Sequence, residues 1–328
     1  MIKIGVVGAG FLGRIHIEAI RNISAFKLTG IYDRNPEKAA EVANLFGVQN
    51  FSSLAGLLES SEALDIVTST SSHYSCAETA LRKSKHLFIE KPLASTVDEC
   101  RYIGDLAFES GVTVQVGHVE RFNPAFTAVQ DCFDTPMFIE AHRLAEFTAR
   151  GTDVSVIHDL MIHDIDIVLS VVKSNIKRIS ASGVAVISDS PDIANARIEF
   201  YNGCVANLTA SRISMKTMRK ARFFQKDAYI SIDFHKKESS IIRLNAITGN
   251  PDPFAIIIDP GNMKPKKQLT VENPEIKPVN AIRSELESFS RSIISGEQPV
   301  VTVNDGLKAV ETAQMIVEKM KFTENLYQ

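Results

Sequence analysis

The chain has 328 residues, 45% of them hydrophobic and 23% charged, with a formal net charge of −3. That is the composition of a globular protein large enough for two domains, and its slight acidity excludes a global field that would gather nucleic acid or anionic membrane. Cys76, Cys100, Cys132 and Cys204 stand far apart with no C-x-x-C pair, which argues against a disulfide framework or a zinc site and for a reducing, cytoplasmic setting.

The first half alternates in type. Residues 2–7 (IKIGVV) form an apolar run of strand length, 11–23 have helical spacing, and 27–32 form a second apolar run, together one βαβ unit. The alternation continues through a helix over 36–46, a strand near 64–68, a helix over 74–84, a strand at 86–90, a helix over 97–111 and a strand at 112–117. Strands buried on both faces read as continuous apolar runs, so the expected architecture is α/β, a doubly wound parallel sheet of Rossmann type. The opening segment carries Lys3 and runs at once into a polar helix, so neither a signal peptide nor a membrane span is expected.

After Gly117 the pattern changes. A helix is expected over 152–172, then strand-like stretches at 177–187, 196–210, 228–234 and 239–244, with Asn202-Gly203 as a type I′ hairpin turn. The proline-rich stretch 247–278 reads as a loop excursion, and helices over 279–295 and 304–321 close the chain. The second domain is therefore expected to be α+β, built on a large, mainly antiparallel open sheet. The boundary falls between 117 and 118, giving domains 1–117 and 118–328.

The chemistry begins at the first turn. Gly8, Gly10 and Gly13, with Phe11 and Leu12 between the last two, lie directly after the first strand and at the mouth of a helix. Glycines there let backbone approach a pyrophosphate, and the helix start offers its N–H groups. Asp33 follows 20 residues after Gly13 at the end of the second strand, where a carboxylate can accept from an adenosine ribose. A 2′-phosphate would face that charge, so NAD is the expected cofactor; Arg34 next door keeps NADP open.

Glu90, Lys91 and Pro92 end the strand at 86–90, on the sheet edge where ligands bind in open α/β folds. Proline restricts Lys91 to an extended backbone, aiming its amine toward a nicotinamide; a solvated lysine is the plainer reading. The second constellation is 158–166 (HDLMIHDID), where Asp159, His163 and Asp166 share one helical stripe. His158 and His163 are five apart and point differently, so no metal site is expected. Beside a nicotinamide and Lys91, these residues suit acid–base catalysis of alcohol oxidation. Arg212, Lys216, Arg219, Lys220, Arg222 and Lys226 crowd a short stretch that reads either as a solvated basic loop or as a partner for a substrate diphosphate.

The combination GAGFLG, His73 in TSSHYSCAETAL, EKPLA, VGHVERFNP and DLMIHDID resembles the Gfo/Idh/MocA oxidoreductases over essentially the whole chain. The resemblance implies an NAD(P)-dependent dehydrogenase acting on CH–OH groups, with Lys91 and His163 as the acid–base pair and Asp159 as their polar support. It implies that Glu90, Lys91 and Pro92 border the nicotinamide and that Thr68, Ser72 and His73 form the loop along the cofactor. Ser69 departs from the pattern, since many members carry proline there. Read from the residues alone, Arg121 and Arg150 are further candidate substrate contacts beside Asp159 and His163. The segments EAHRL, ARGTDV and DIANARIEFYNGCVANLTASRIS resemble members that act on UDP-N-acetylglucosamine, forming a 3-keto sugar nucleotide ahead of a transaminase in lipid A or surface-polysaccharide assembly. A homodimer or homotetramer formed through the open sheet face is implied as well, with neither nucleic acid nor membrane as a partner. Another polyol or sugar-acid dehydrogenase, or a non-catalytic NAD-sensing regulator, would carry part of the same pattern.

Overall fold

The computed structural model describes residues 1–147, 154–247, 255–261 and 264–320. They form two compact units, Met1–Phe122 with Val279–Gln314, and Asn123–Pro278 with the residues from Met315 on.

The first unit holds a five-stranded parallel sheet in the order β2-β1-β3-β4-β5, built from β1 (Ile2–Val7), β2 (Phe26–Tyr32), β3 (Ala63–Ile66), β4 (His86–Glu90) and β5 (Val114–Gly117). The connecting helices are α1 (Phe11–Arg21), α2 (Pro36–Phe46), α3 (Leu54–Ser60), α4 (His73–Leu81) and α5 (Val97–Ser110). Local signals set their ends. Asn35 caps α2 ahead of Pro36, Thr96 and Glu99 form a capping box on α5, and Gly47 and Gly111 take left-handed conformations where those two helices stop. The chain runs from β1 outward to β2 and then returns to β3 on the other side of β1, which opens a crevice at the carboxyl ends of β1 and β3.

The sequence boundary assigned everything after residue 117 to the second domain, whereas α8 (Ala281–Ser295) lies in the first unit. Its Leu286 and Phe289 are fully buried in one core with Ile17, Ile20, Phe26 and Phe88. The Phe289 ring lies 6.0 Å from Phe88 and 6.2 Å from Phe26. Side chains of that size each contribute about 1.5–3 kcal/mol when buried, so the helix is held by its apolar stripe, not by its place in the chain.

The second unit contains a nine-stranded sheet. Its strands are β6 (Phe138–Leu144), β7 (Ile176–Val184), β8 (Ile193–Phe200), β9 (Val205–Ser211), β10 (Met218–Gln225), β11 (Ala228–Asp233), β12 (Glu238–Ala246), β13 (Ile256–Ile258) and β14 (Lys267–Glu272). The order is β13-β14-β12-β11-β10-β6-β9-β8-β7, antiparallel throughout except for β6 beside β9. Burial alternates cleanly: along β8, Ala194, Ala196, Ile198 and Phe200 are buried while Asn195 and Arg197 face out, as a sheet covered on one face requires. The short α6 (Pro124–Thr127) is capped by Asn123, and α7 (Ile162–Val171) packs on β6 and β9. The last helix, α9, runs from Val303 to Met320.

Three local expectations change. A type I′ turn needs two left-handed residues, but only Gly203 (φ 88°) is one; Phe200 C=O accepts from Gly203 N–H and the β8–β9 hairpin closes as a tight turn followed by a glycine bulge. The supposed loop excursion contributes β13 and β14 to the sheet edge, its prolines lying outside both strands. Half of the basic stretch is strand: Arg219, Lys220 and Arg222 lie on β10, where Lys220 pairs with Asp233 at 3.1 Å and Arg222 with Glu140 at 3.5 Å across neighbouring strands, while Arg212 and Lys216 precede the strand and Lys226 follows it. Arg212 is 6% exposed, and its guanidinium donates to the Val154 carbonyl at 2.7 Å.

Candidate active site

The crevice after β1 and β3 is a cleft of about 540 Å³ whose lining includes Gly8, Gly10, Asp33, Arg34, Thr68 and Ser72. Gly8 has φ +121° and a Cβ there would lie 2.7 Å from the Val67 carbonyl, so the loop can pass between the strands only without a side chain. A Cβ on Gly13 would come within 2.1 Å of the Gly8 carbonyl, which is the close packing of loop against helix that the motif implies. Gly10 is different: nothing lies within 4 Å of its would-be Cβ. Its bareness serves open space, and α1 begins there with no side-chain cap on its first amides. An uncapped helix start at an open glycine fits a pyrophosphate.

Asp33 is held at that mouth. One carboxylate oxygen accepts from Ala9 N–H at 2.6 Å and the other from Asn35 N–H at 2.7 Å, which fixes the acid between the glycine loop and α2 with lone pairs left for a ribose. The residues present therefore fit NAD, with Gly8, Gly10 and the α1 amides at the diphosphate and Asp33 at the adenosine ribose. Gly10→Ala should fold with an unchanged melting temperature while weakening NAD binding by roughly tenfold or more, because the added methyl occupies ligand space and clashes with no protein atom; calorimetric titration checks this.

The remaining sequence-predicted residues of this unit fall into two groups. Thr68 and Ser72 line the cleft. Phe11 is 76% exposed at the first position of α1, with Leu12 half-buried behind it. His73 is 1% exposed and works as a brace, its ring nitrogens lying 2.9 Å from the Pro92 carbonyl and 3.2 Å from the Thr68 carbonyl. Burial lowers its pKa although both carbonyls favour a proton, so the neutral ring donates to one of them at a time and ties the loop after β3 to the loop after β4. Ser69 adopts φ −65° and ψ 146°, the conformation a proline would impose, and its N–H makes no bond among the described residues. Ser69→Pro should therefore raise stability by about 0.4–1 kcal/mol in denaturant unfolding.

Lys91 is half-buried and follows β4 at the carboxyl edge of the sheet, joined to Pro92 by a cis peptide. Its backbone N–H donates to the Glu90 carboxylate at 3.0 Å, while Glu90 itself turns inward, 7% exposed. Arg121 lies in a short turn over Val119–Phe122, 4.0 Å from Asp305.

In the second unit, residues Ile157–Met161 wind as a π-helical turn before α7. The regular stripe expected for Asp159, His163 and Asp166 is thus interrupted, because the wider turn shifts the facing of everything before Ile162. Asp159 and His163 are half-buried, whereas Asp166 is 1% exposed. Sequence reading missed the pair beside them: Asp164 accepts both Nε and Nη2 of Arg143 at 3.0 Å, clamping α7 to β6. The signal was an arginine at an inward position of β6, between Ala141 and the strand end, where only a buried acid could answer it. Arg150 lies outside the described residues.

Residues 2–118 match an oxidoreductase family with an NAD-binding Rossmann fold, and residues 127–229 match the GFO/IDH/MocA C-terminal domain. The chain is 39% identical over 234 residues to the UDP-N-acetylglucosamine 3-dehydrogenase of Acidithiobacillus ferrooxidans, spanning 71% of this chain and 74% of that one. It is 26% identical over 352 residues to the glucose-6-phosphate 3-dehydrogenase of Bacillus subtilis, covering 97% and 96%. The solved structure of the Acidithiobacillus enzyme superposes with a TM-score of 0.88 at 32% identity, covering 97% of each chain. A scyllo-inositol dehydrogenase from Lactobacillus casei with bound NAD(H) and scyllo-inositol has the same fold, with a TM-score of 0.78 at 20% identity and 98% of each chain covered. No described helix is long and apolar enough to cross a membrane. With an NAD-binding cleft built on GAGFLG and Asp33, and relatives that are dehydrogenases of sugar or polyol hydroxyls, this chain belongs to the Gfo/Idh/MocA family of NAD-dependent oxidoreductases.

Proposed function

We propose that the enzyme oxidises the C3 hydroxyl of a UDP-N-acetyl sugar, UDP-N-acetylglucosamine first among them, to the 3-keto sugar nucleotide. The observation that carries this reading is the 39% identity to a relative of that name, against 26% for the glucose-6-phosphate relative; both names specify oxidation at C3. Bound NAD+ supplies the hydride acceptor. The chain supplies the acid–base groups, and the roles assigned are Lys91 at the end of β4 and His163 on α7 as the pair that takes up the hydroxyl proton, supported by Asp159. Arg121 and Arg150 are proposed as further contacts to substrate. Cofactor discrimination rests on Asp33, whose charge opposes a 2′-phosphate although Arg34 and Lys38 share the cleft.

The test is substrate-dependent NADH absorbance across UDP-N-acetylglucosamine, UDP-N-acetylgalactosamine, glucose 6-phosphate and scyllo-inositol. Turnover confined to the UDP sugars, with a product trapped by a carbonyl reagent, is the expected result; turnover of glucose 6-phosphate or the inositol alone removes the nucleotide-sugar reading. A ketone at C3 would suit an amine-transferring enzyme as the next step, consistent with surface-polysaccharide assembly.

A further inference from the structure

Beneath the end of β4 lies a cluster of ionisable groups that the proposed chemistry does not use. His16 of α1, Asp65 of β3, Glu90 of β4 and Glu285 of α8 are 0%, 0%, 7% and 0% exposed. His16 Nδ1 is 3.0 Å from Asp65 Oδ2, and its Nε2 is 3.4 Å from Glu90 Oε1. One ring nitrogen of His16 and one carboxyl oxygen each of Glu90 and Glu285 lie within 4.8 Å of one another. Neither carboxyl oxygen of Glu285 has a hydrogen-bond partner among the described residues. Its backbone is pinned there, because Gln115 Nε2 donates to the Glu285 carbonyl at 2.8 Å. Gly117 leaves room for the arrangement, since a Cβ at that position would stand 2.8 Å from Glu90 Oε1.

Three carboxyl groups thus surround one imidazole. Two anions can be answered by His16 as an imidazolium, hydrogen-bonded to Asp65 through Nδ1 and in ion-pair contact with Glu90 at 3.4 Å, where Nε2 lacks hydrogen-bond geometry. A third buried carboxylate with no donor on either oxygen would cost far more than taking up a proton. We propose that Glu285 holds a proton at neutral pH and, as a neutral acid packed under Glu90, is the positioning residue that keeps the Glu90 carboxylate on His16 and on the Lys91 amide. The part of this inference that concerns turnover rests on the role assigned to Lys91; the protonation does not.

The surrounding groups agree. Complete burial, and then the charge of Glu90, push Glu285 well above the ordinary carboxylate range; Asp65, and Glu120 from the turn over Val119–Phe122, add to this, and His16 alone among the main contributors opposes it. Arg121 on the same turn stands beside Asp305. Burial works against charge on His16, but Asp65 and Glu90 outweigh it and hold the imidazole well above its usual value. For a carboxyl whose folded pKa is raised, stability is fully present below the unfolded value and is lost as pH rises toward and through the folded one. Replacing Glu285 by its neutral isostere removes that loss.

Glu285→Gln should therefore melt progressively higher than the wild type as pH rises above the ordinary carboxylate range, the gap widening by about 3 °C per pH unit. Infrared spectra of the native wild type at neutral pH should contain the carbonyl stretch of a protonated carboxyl, absent from Glu285→Gln and from the unfolded chain. A gap that does not grow with pH, or a native spectrum without that band, overturns the inference even if the variant fails to fold. So does a stoichiometric metal ion in the purified protein, which would supply the positive charge in place of the proton. Positioning is read separately. Glu285→Gln should keep kcat within about twofold, whereas Glu285→Ala should lower kcat by about tenfold or more with NAD affinity unchanged, as a misplaced Lys91 requires. Equal activity in all three proteins overturns the positioning role. Inactivity of the wild type toward UDP sugars, with the pH-dependent gap and the infrared band present, places the failure in the proposed substrate and leaves the protonation standing.

Discussion

Lys91→Met should lower turnover by about 10²-fold or more while NAD affinity stays near that of the wild type. The expectation follows from where the residue stands. It directly follows β4 at the carboxyl edge of a parallel sheet, on the same edge as the glycine loop and Asp33. The Glu90 carboxylate holds its backbone N–H at 3.0 Å and His73 holds the Pro92 carbonyl at 2.9 Å, so the corner carrying the amine is braced on both sides. None of these contacts involves the diphosphate or ribose positions, which is why binding of the dinucleotide should survive loss of the amine. Methionine keeps the length and apolar stem, so a fall in kcat reports the missing amine and not a cavity. Isothermal titration with NAD beside initial-rate kinetics checks both halves. Unchanged kcat would return Lys91 to the status of a solvated lysine and move the proton-transfer role to His163.

The sheet of the first unit was legible because its strands are short apolar runs, and because α2 and α5 begin with side-chain caps. Gly8, Gly10, Gly13 and Asp33 were legible because spacing alone places them on one edge. What stayed hidden were pairings between distant segments. His16 lies three residues beyond Gly13 on the inward face of α1, and Asp65 interrupts an apolar strand, yet only the fold shows that Glu285, more than two hundred residues later, completes their cluster. The placement of α8 was misjudged for the same reason: an amphipathic stripe says that a helix packs, not what it packs against. In the second unit, β10 was obscured because Arg219, Lys220 and Arg222 give it a charge density that fits a loop or a ligand surface as well as a strand, while cross-strand acids at Glu140 and Asp233 answer two of these charges. The π-helical turn before α7 has no compositional signature, so the interrupted facing of Asp159 and His163 could not be read from spacing.

Arg143→Ala should destabilise the second unit by about 3–5 kcal/mol, the largest loss of stability expected from a single substitution of the residues discussed. Arg143 and Asp164 are each 3% exposed, and the guanidinium meets the carboxylate through two parallel bonds at 3.0 Å. Removing the cation leaves Asp164 buried without its strongest partner, and the cost is the desolvation of that charge more than the attraction lost. The pair is also the polar link between β6 and α7, the helix that carries His163, so kcat should fall along with stability in the single variant. Replacing both partners, as in Arg143→Met with Asp164→Leu, removes the buried charge along with its answer and should recover most of the stability. Urea unfolding of the two single variants and the double variant, read as a shift in midpoint at constant slope, measures the coupling. A double variant no more stable than Arg143→Ala would mean that the clamp contributes through packing geometry and not through charge pairing.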